Sequence, residues 1–116
     1  MEFRTVPEFD SDRKKLLRKY RSLEDDLELL KKILVLYPRG FPPRIYRISN
    51  LGIETEIYKV KHFHCKALKN KGAMSGIRVV YAFLKEVSMI EFIEIYYNEK
   101  DDTDCSKERI GKYYSK

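Results

Sequence analysis

The stretch Lys59–Arg78, KVKHFHCKALKNKGAMSGIR, holds five lysines, one arginine, both histidines of the chain and no acid. Cations at this density attract polyanions and hold them in a salt-dependent way. His62 and His64 flank Phe63, so on a strand both imidazoles share one side, close enough to chelate. Zinc needs three or four ligands. Cys65 points the other way and no nearby carboxylate completes a set, so no metal is expected. Serine nucleophiles are not expected either, because no GxSxG turn occurs. Gly72 and Gly76 form no phosphate-cradling loop with a Lys-Ser/Thr pair, so nothing here calls for a nucleotide or other cofactor.

What remains is positive charge interleaved with tyrosine. RNA can be cut without a protein nucleophile, because the ribose 2′-hydroxyl attacks the adjacent phosphate. The protein then needs only to position the strand, stabilise charge on the phosphate and move protons. Lys59, Lys61, Arg78 and Lys100 are the candidates for charge stabilisation. Tyr96, Tyr97, Tyr113 or Tyr114, a histidine, or a lysine of depressed pKa are the candidates for proton transfer. Lys66, Lys69, Lys71, His62 and His64 are candidate RNA contacts, and tyrosine rings can stack on bases.

Charge is unevenly spread along the 116 residues. Residues 1–56 carry twelve bases and ten acids, a net +2. Residues 57–85 carry seven bases and no acid, a net +7, and residues 86–116 carry five bases and eight acids, a net −3. A length of 116 residues fits one domain with one core. The longest apolar runs fall far short of the roughly 20 residues that span a bilayer. The opening MEFRTVPEFD has no signal-peptide core, so a cytoplasmic protein without membrane partners is expected. Cys65 and Cys105 belong to no CxxC pair and are expected as free thiols in a reducing compartment. Cys65 reads as a small buried hydrophobe, and a Cys65–Cys105 disulfide stays open.

The elements that must position these residues follow from periodicity. MEFRTV alternates as a short strand that Pro7 stops. Residues 9–20 read as a helix capped by Asp10 or Ser11, with Phe9, Leu16, Leu17 and Tyr20 on one stripe. SLEDDLELLKKILVLYPRG reads as a second helix with Ser22 as N-cap and Asp25 in a weak capping-box position. Leu23, Leu27, Leu30 and Leu34 form its core stripe, and Tyr37-Pro38 with Gly40 ends it. The short gap around Arg21 implies an antiparallel helical hairpin. EIYKVKHFHCKAL alternates with a change of phase near His62, which suggests a bulge or bend. IRVVYAF places Ile77, Val79, Tyr81 and Phe83 on one side and Arg78, Val80 and Ala82 on the other. MIEFIEIYY makes a third consecutive strand, and a short helical turn falls near 106–114. The expected fold is therefore α+β: an N-terminal strand and helical hairpin on one face of an antiparallel sheet. The other face is expected to be open, with Arg78 on it.

YKVK (58–61) followed by SGIRVVYAF (75–83) resembles the central hairpin of RelE/ParE superfamily toxins. FRTVPEFDSDRKKLLRKY looks like their first strand and helix, and MIEFIEIYYNEK like their final strand, so the resemblance spans nearly the whole chain. It implies a single RelE/ParE-like domain, 1–116, acting as the toxin of a type II toxin–antitoxin pair with a cognate antitoxin as partner. A RelE-like member would be a ribosome-dependent, metal-independent mRNA endoribonuclease that inhibits translation. A ParE-like member would be a non-nuclease acting on gyrase, and a catalytically inactive RNA- or protein-binding member is the third alternative. Carried over by position, Arg78 matches the arginine at the scissile phosphate and Lys59 and Lys61 the preceding lysine pair. Lys100 matches the later basic residue, and Tyr113 or Tyr114 the C-terminal tyrosine. The chain departs from the pattern in three places: a longer loop before SGIR, an acidic NEKDDTD after the last strand, and displaced C-terminal tyrosines. The longer loop makes Lys66, Lys69 or His64 alternatives to Lys59 and Lys61 in the site.

Overall fold

The computed structural model describes residues 1–61, 63, 65, 76–98 and 105–114. Its elements are β1 (Glu2–Thr5), α1 (Pro7–Leu17), α2 (Leu23–Leu36), β2 (Ile45–Arg47), β3 (Glu56–Val60), β4 (Ile77–Leu84), β5 (Met89–Tyr97) and α3 (Lys107–Tyr114). The strands form one sheet in the order β1-β5-β4-β3-β2. The expected α+β architecture is present, but the sheet is mixed, because β1 runs parallel to β5. The chain leaves β1, crosses one face as α1 and α2, and later returns β5 alongside its own start.

Local chemistry explains most boundaries. The first helix begins at Pro7, earlier than Asp10 or Ser11, with Val6 as N-cap. Proline has a preset φ and no N–H to leave unpaired, so it opens a helix as readily as it stops a strand. Asp10 lies inside the first turn, where its carboxylate takes the Thr5 hydroxyl at 3.0 Å. The helix ends at Leu17, and Tyr20 is buried in the connection beyond it. α2 begins after Ser22, whose hydroxyl donates to Asp26 Oδ2 at 2.8 Å and does not cap the backbone. Leu23, Leu27, Leu30 and Leu34 are all buried on the sheet side, as their spacing predicts.

The first core lies between these helices and the sheet. Ile77, Val79, Tyr81 and Phe83 of β4 face it together with Tyr58, Val60, Ile90, Phe92 and Ile95. Tyr81 stacks on Tyr58 at 5.3 Å and meets Phe92 edge-on at 6.4 Å. Its hydroxyl donates to the Pro38 carbonyl at 3.0 Å, which pins the chain leaving α2 to the centre of the sheet. Phe63 and Cys65 join the same core as Tyr58 and Val60, so the change of parity lies between 60 and 63. The predicted turn at 66–75 is outside the described residues.

The opposite face is not open. Ile57, Val80, Ala82 and Ile93 are fully buried in a second core with Ile110 of α3, Cys105 and the half-buried Ile48, Leu51 and Ile53. The reason is that the C-terminal helical turn is a real helix, and Ser106 caps it by accepting the Arg109 N–H at 3.2 Å. Cys65 and Cys105 are buried free thiols in different cores. Among the described residues, no helix is long and apolar enough to cross a membrane.

The second core rests on one helical side chain that is almost fully buried, Ile110. Ile110→Ala is expected to cost about 2–5 kcal/mol, measured as a lower urea midpoint with an unchanged slope.

Candidate nucleic-acid interface

Strand register decides which predicted site residues meet. In β3 and β4, Lys59 stands opposite Val80 and Val60 opposite Val79. In β4 and β5, Arg78 stands opposite Tyr96 and Val80 opposite Glu94. In β2 and β3, Ile45 stands opposite Val60 and Tyr46 opposite Lys59. One step beyond these ladders, the Lys61 N–H donates to the Arg44 carbonyl at 2.7 Å. Alternation gives one row on the face away from α1 and α2, and the residues one step beyond the ladders continue the backbone order as a neighbouring row. One runs Tyr46, Lys59, Val80, Glu94, and the other runs Arg44, Lys61, Arg78, Tyr96.

The second row is a line of three cations ending on a tyrosine. At roughly 4.8 Å between strands, Arg44 and Arg78 are about 10 Å apart along it. Arg44 and Lys61 are exposed and Arg78 is half-buried. Among the described residues no carboxylate comes within ion-pair distance of any of the three. Like charges on neighbouring strands repel, and among the described residues no ion pair relieves the repulsion between these three. The acid of β3 is engaged elsewhere. Glu56 takes Arg39 at 2.9 and 3.2 Å and the Tyr58 hydroxyl at 2.6 Å. The Arg39 contact holds its carboxyl down to about 2, while burial and Glu56 push the Tyr58 phenol up to about 12.

A β-bulge sets the end of the row. Val80 pairs with Glu94 and Tyr81 with Phe92, leaving Ile93 as the extra residue. Without it, strict alternation from Ile90 and Phe92 would put Tyr96 on the helix face. With it, Ile95 returns to the first core and Tyr96 turns to the cations. The Lys59 ammonium lies 5.9 Å from the Tyr96 ring centre. Burial raises the Tyr96 pKa and Lys59 draws it back. Among the described residues its buried hydroxyl meets no hydrogen-bond geometry, and Lys59 is its charged neighbour. Glu94 sits on the Lys59 row, and burial raises its pKa against the Ser106 N–H at 2.8 Å that favours the charged form.

Of the predicted site residues, the register brings Lys59, Lys61 and Arg78 together. Tyr113 is elsewhere: its hydroxyl donates to Glu8 Oε1 at 2.5 Å, beside Lys112 on Glu8 Oε2 at 3.0 Å. The neighbouring Tyr114 donates to Glu91, five residues back from Tyr96 and so roughly 15 Å along the strand. Lys66, Lys69, Lys71, Lys100, His62 and His64 lie outside the described residues. Sequence reasoning missed Arg44, Tyr46 and Glu94. Two prolines hide the strand that carries Arg44 and Tyr46, and the only signal for it is the short alternation IYRI. Glu94 was hidden by the bulge.

These cations can bind phosphate oxygens through charge-assisted hydrogen bonds, and Arg78 can do so in bidentate fashion. Among the described residues no cluster of His, Cys, Asp and Glu could hold a metal ion. The chain is an α+β protein with a cationic, tyrosine-edged sheet corner. No protein-family model, curated protein or solved structure matches it.

α3 carries an acid-sensitive anchor. The Tyr113 hydroxyl, then Lys112, hold the Glu8 carboxyl down to about 2 from 4.5. A depressed carboxyl contributes its stability above the unfolded value and loses it as pH falls through the folded one. Amide exchange in residues 107–114 is therefore expected to accelerate, relative to β4, as pH falls from 4.5 toward about 2. Glu8→Gln should remove that pH dependence, and an unchanged profile in the variant would refute the assignment.

Proposed function

We propose that this protein is a toxin of the RelE/ParE kind that binds mRNA on the Arg44, Lys61, Arg78 row and cleaves it on the ribosome. The observation that carries the reading is the row itself, three cations at one corner of the sheet with no ion-pair partner among the described residues. In the proposed reaction the 2′-hydroxyl attacks the neighbouring phosphorus, the bond to the 5′-oxygen breaks, and a 2′,3′-cyclic phosphate forms. Arg78, the cation of the row beside Tyr96, stabilises the added negative charge on the phosphoryl oxygens. Lys59 and Glu94 stand on the adjacent row as the groups that accept and return the proton. Raising a carboxyl toward neutrality is what suits it to that exchange.

A toxin of this type is held silent by a cognate antitoxin. α2 offers surface for such a protein, because Leu29, Ile33, Leu36 and Tyr37 are exposed on its outer side. A net charge of +6 favours an acidic partner. One observation favours a second reading, a family member that binds without cutting, either at gyrase or as an inactive binder. Tyr113 and Tyr114 spend their hydroxyls on Glu8 and Glu91, away from Arg78.

Induced expression is expected to arrest protein synthesis and leave mRNA cut on ribosomes. Arg78→Ala should lower cleavage about 10²–10³-fold, the usual loss for one charge-stabilising donor. Arrest with intact mRNA would select the second reading, with DNA damage pointing to gyrase. Full arrest by Arg78→Ala would remove Arg78 from the mechanism.

A further inference from the structure

β2 is the outermost strand of the sheet and only three residues long. Its placement is nonetheless closely determined. Ile45 is buried in the first core. Gly40, at φ 69°, passes so near that a Cβ there would lie 2.4 Å from Ile45 Cγ2. Phe41 bridges back to Ile45, and Pro42 and Pro43 supply no N–H for longer pairing. With Ile45 held inward, Tyr46 faces the side that carries Lys59, and Arg44, in the turn just before β2, lies beside Lys61, whose N–H its carbonyl accepts.

Tyr46 differs from the tyrosines of the core. Tyr20, Tyr58, Tyr81 and Tyr97 all lie against another ring. Tyr46 is half-buried and pairs through its backbone with Lys59, and among the described residues its side chain has no ring contact and no hydrogen bond. A ring seated on a sheet with no ring partner among the described residues, next to cations, is the arrangement that stacks an unpaired base. Arg44 adds a cation two strands from Arg78, more than a single phosphate group spans.

We infer that β2 is a specificity element for single-stranded RNA, with Arg44 gripping a second phosphate and Tyr46 stacking the base beside it. The ligand strand then crosses β4, β3 and β2 toward the sheet edge, so its polarity and register are set by Arg78 at one end and Tyr46 at the other. A duplex is disfavoured, because its bases are already stacked on each other and are not available to Tyr46. This inference rests on the phosphate-binding role proposed for Arg78, and its test separates the two.

The probes are a fluorescein-labelled single-stranded RNA of mixed sequence and the same RNA annealed to its complement. Binding is followed by anisotropy at several salt concentrations, with circular dichroism confirming that each variant is folded. The wild type is expected to prefer the single strand. Tyr46→Ala should weaken single-strand binding about 5- to 100-fold with no change in salt slope, the range for one lost base stack, and Tyr46→Phe should restore it. Arg44→Ala should weaken binding and reduce the salt slope by about 0.7, one phosphate contact on a single strand. If Arg78→Ala weakens binding while Arg44→Ala and Tyr46→Ala match the wild type, the role of β2 is refuted and the reading of Arg78 stands. If Arg78→Ala itself binds as the wild type does, the phosphate site is refuted. Equal affinity for duplex and single strand would overturn the specificity.

Discussion

The structure depends on β4 being buried from both sides. Ile77, Val79 and Tyr81 are sealed on one face and Val80 and Ala82 on the other. A strand covered on both faces can carry a charge only where the cover ends. Arg78 sits at that place, one residue into the strand, where neighbouring strands contribute Lys61 and Tyr96. The two cores thus confine the cationic row to a corner, and the same burial keeps the supporting strands in one register.

The two helical layers are attached by different physics. α1 and α2 pack through leucines and aromatic rings. α3 contributes Ile110 to the second core, packs Tyr113 and Tyr114 against the cores, and is further fastened by polar contacts to acids of α1 and β5. Arg109 meets Asp12 at 2.6 Å and the Ile93 carbonyl at 3.0 Å, Lys112 and Tyr113 share Glu8, and Tyr114 meets Glu91. These contacts also engage the acids nearest the second face. Each of these acids already has a partner, and among the described residues none pairs with the cations of the row.

Much of this was readable beforehand. The leucine stripe of α2, the core row of β4 and the ends of β5 follow from period and turn residues, since burial and alternation leave few alternatives. The direction of Arg78 follows from the same alternation. The second face was misjudged because α3 is only eight residues long and mostly polar, so its one buried isoleucine does not announce a helix that covers a sheet face. The parallel pairing of β1 and the presence of β2 are contacts between segments far apart in the chain, and no local pattern announces them. Tyr113 was assigned to the site by resemblance alone, and its hydroxyl lies on Glu8 because α3 runs back toward α1.

The sequence by itself determined the elements, the apolar faces that must be hidden and the concentration of positive charge between residues 57 and 85, because these are properties of neighbouring residues. Only the tertiary structure decided which charges meet. A bulge at Ile93 turned Tyr96 toward Arg78, and Gly40 with Ile45 aimed Tyr46 at the face that carries Lys59 and held Arg44 beside Lys61. Register between strands is set by packing across the sheet, and a shift of one residue would have placed each of these side chains on the opposite side.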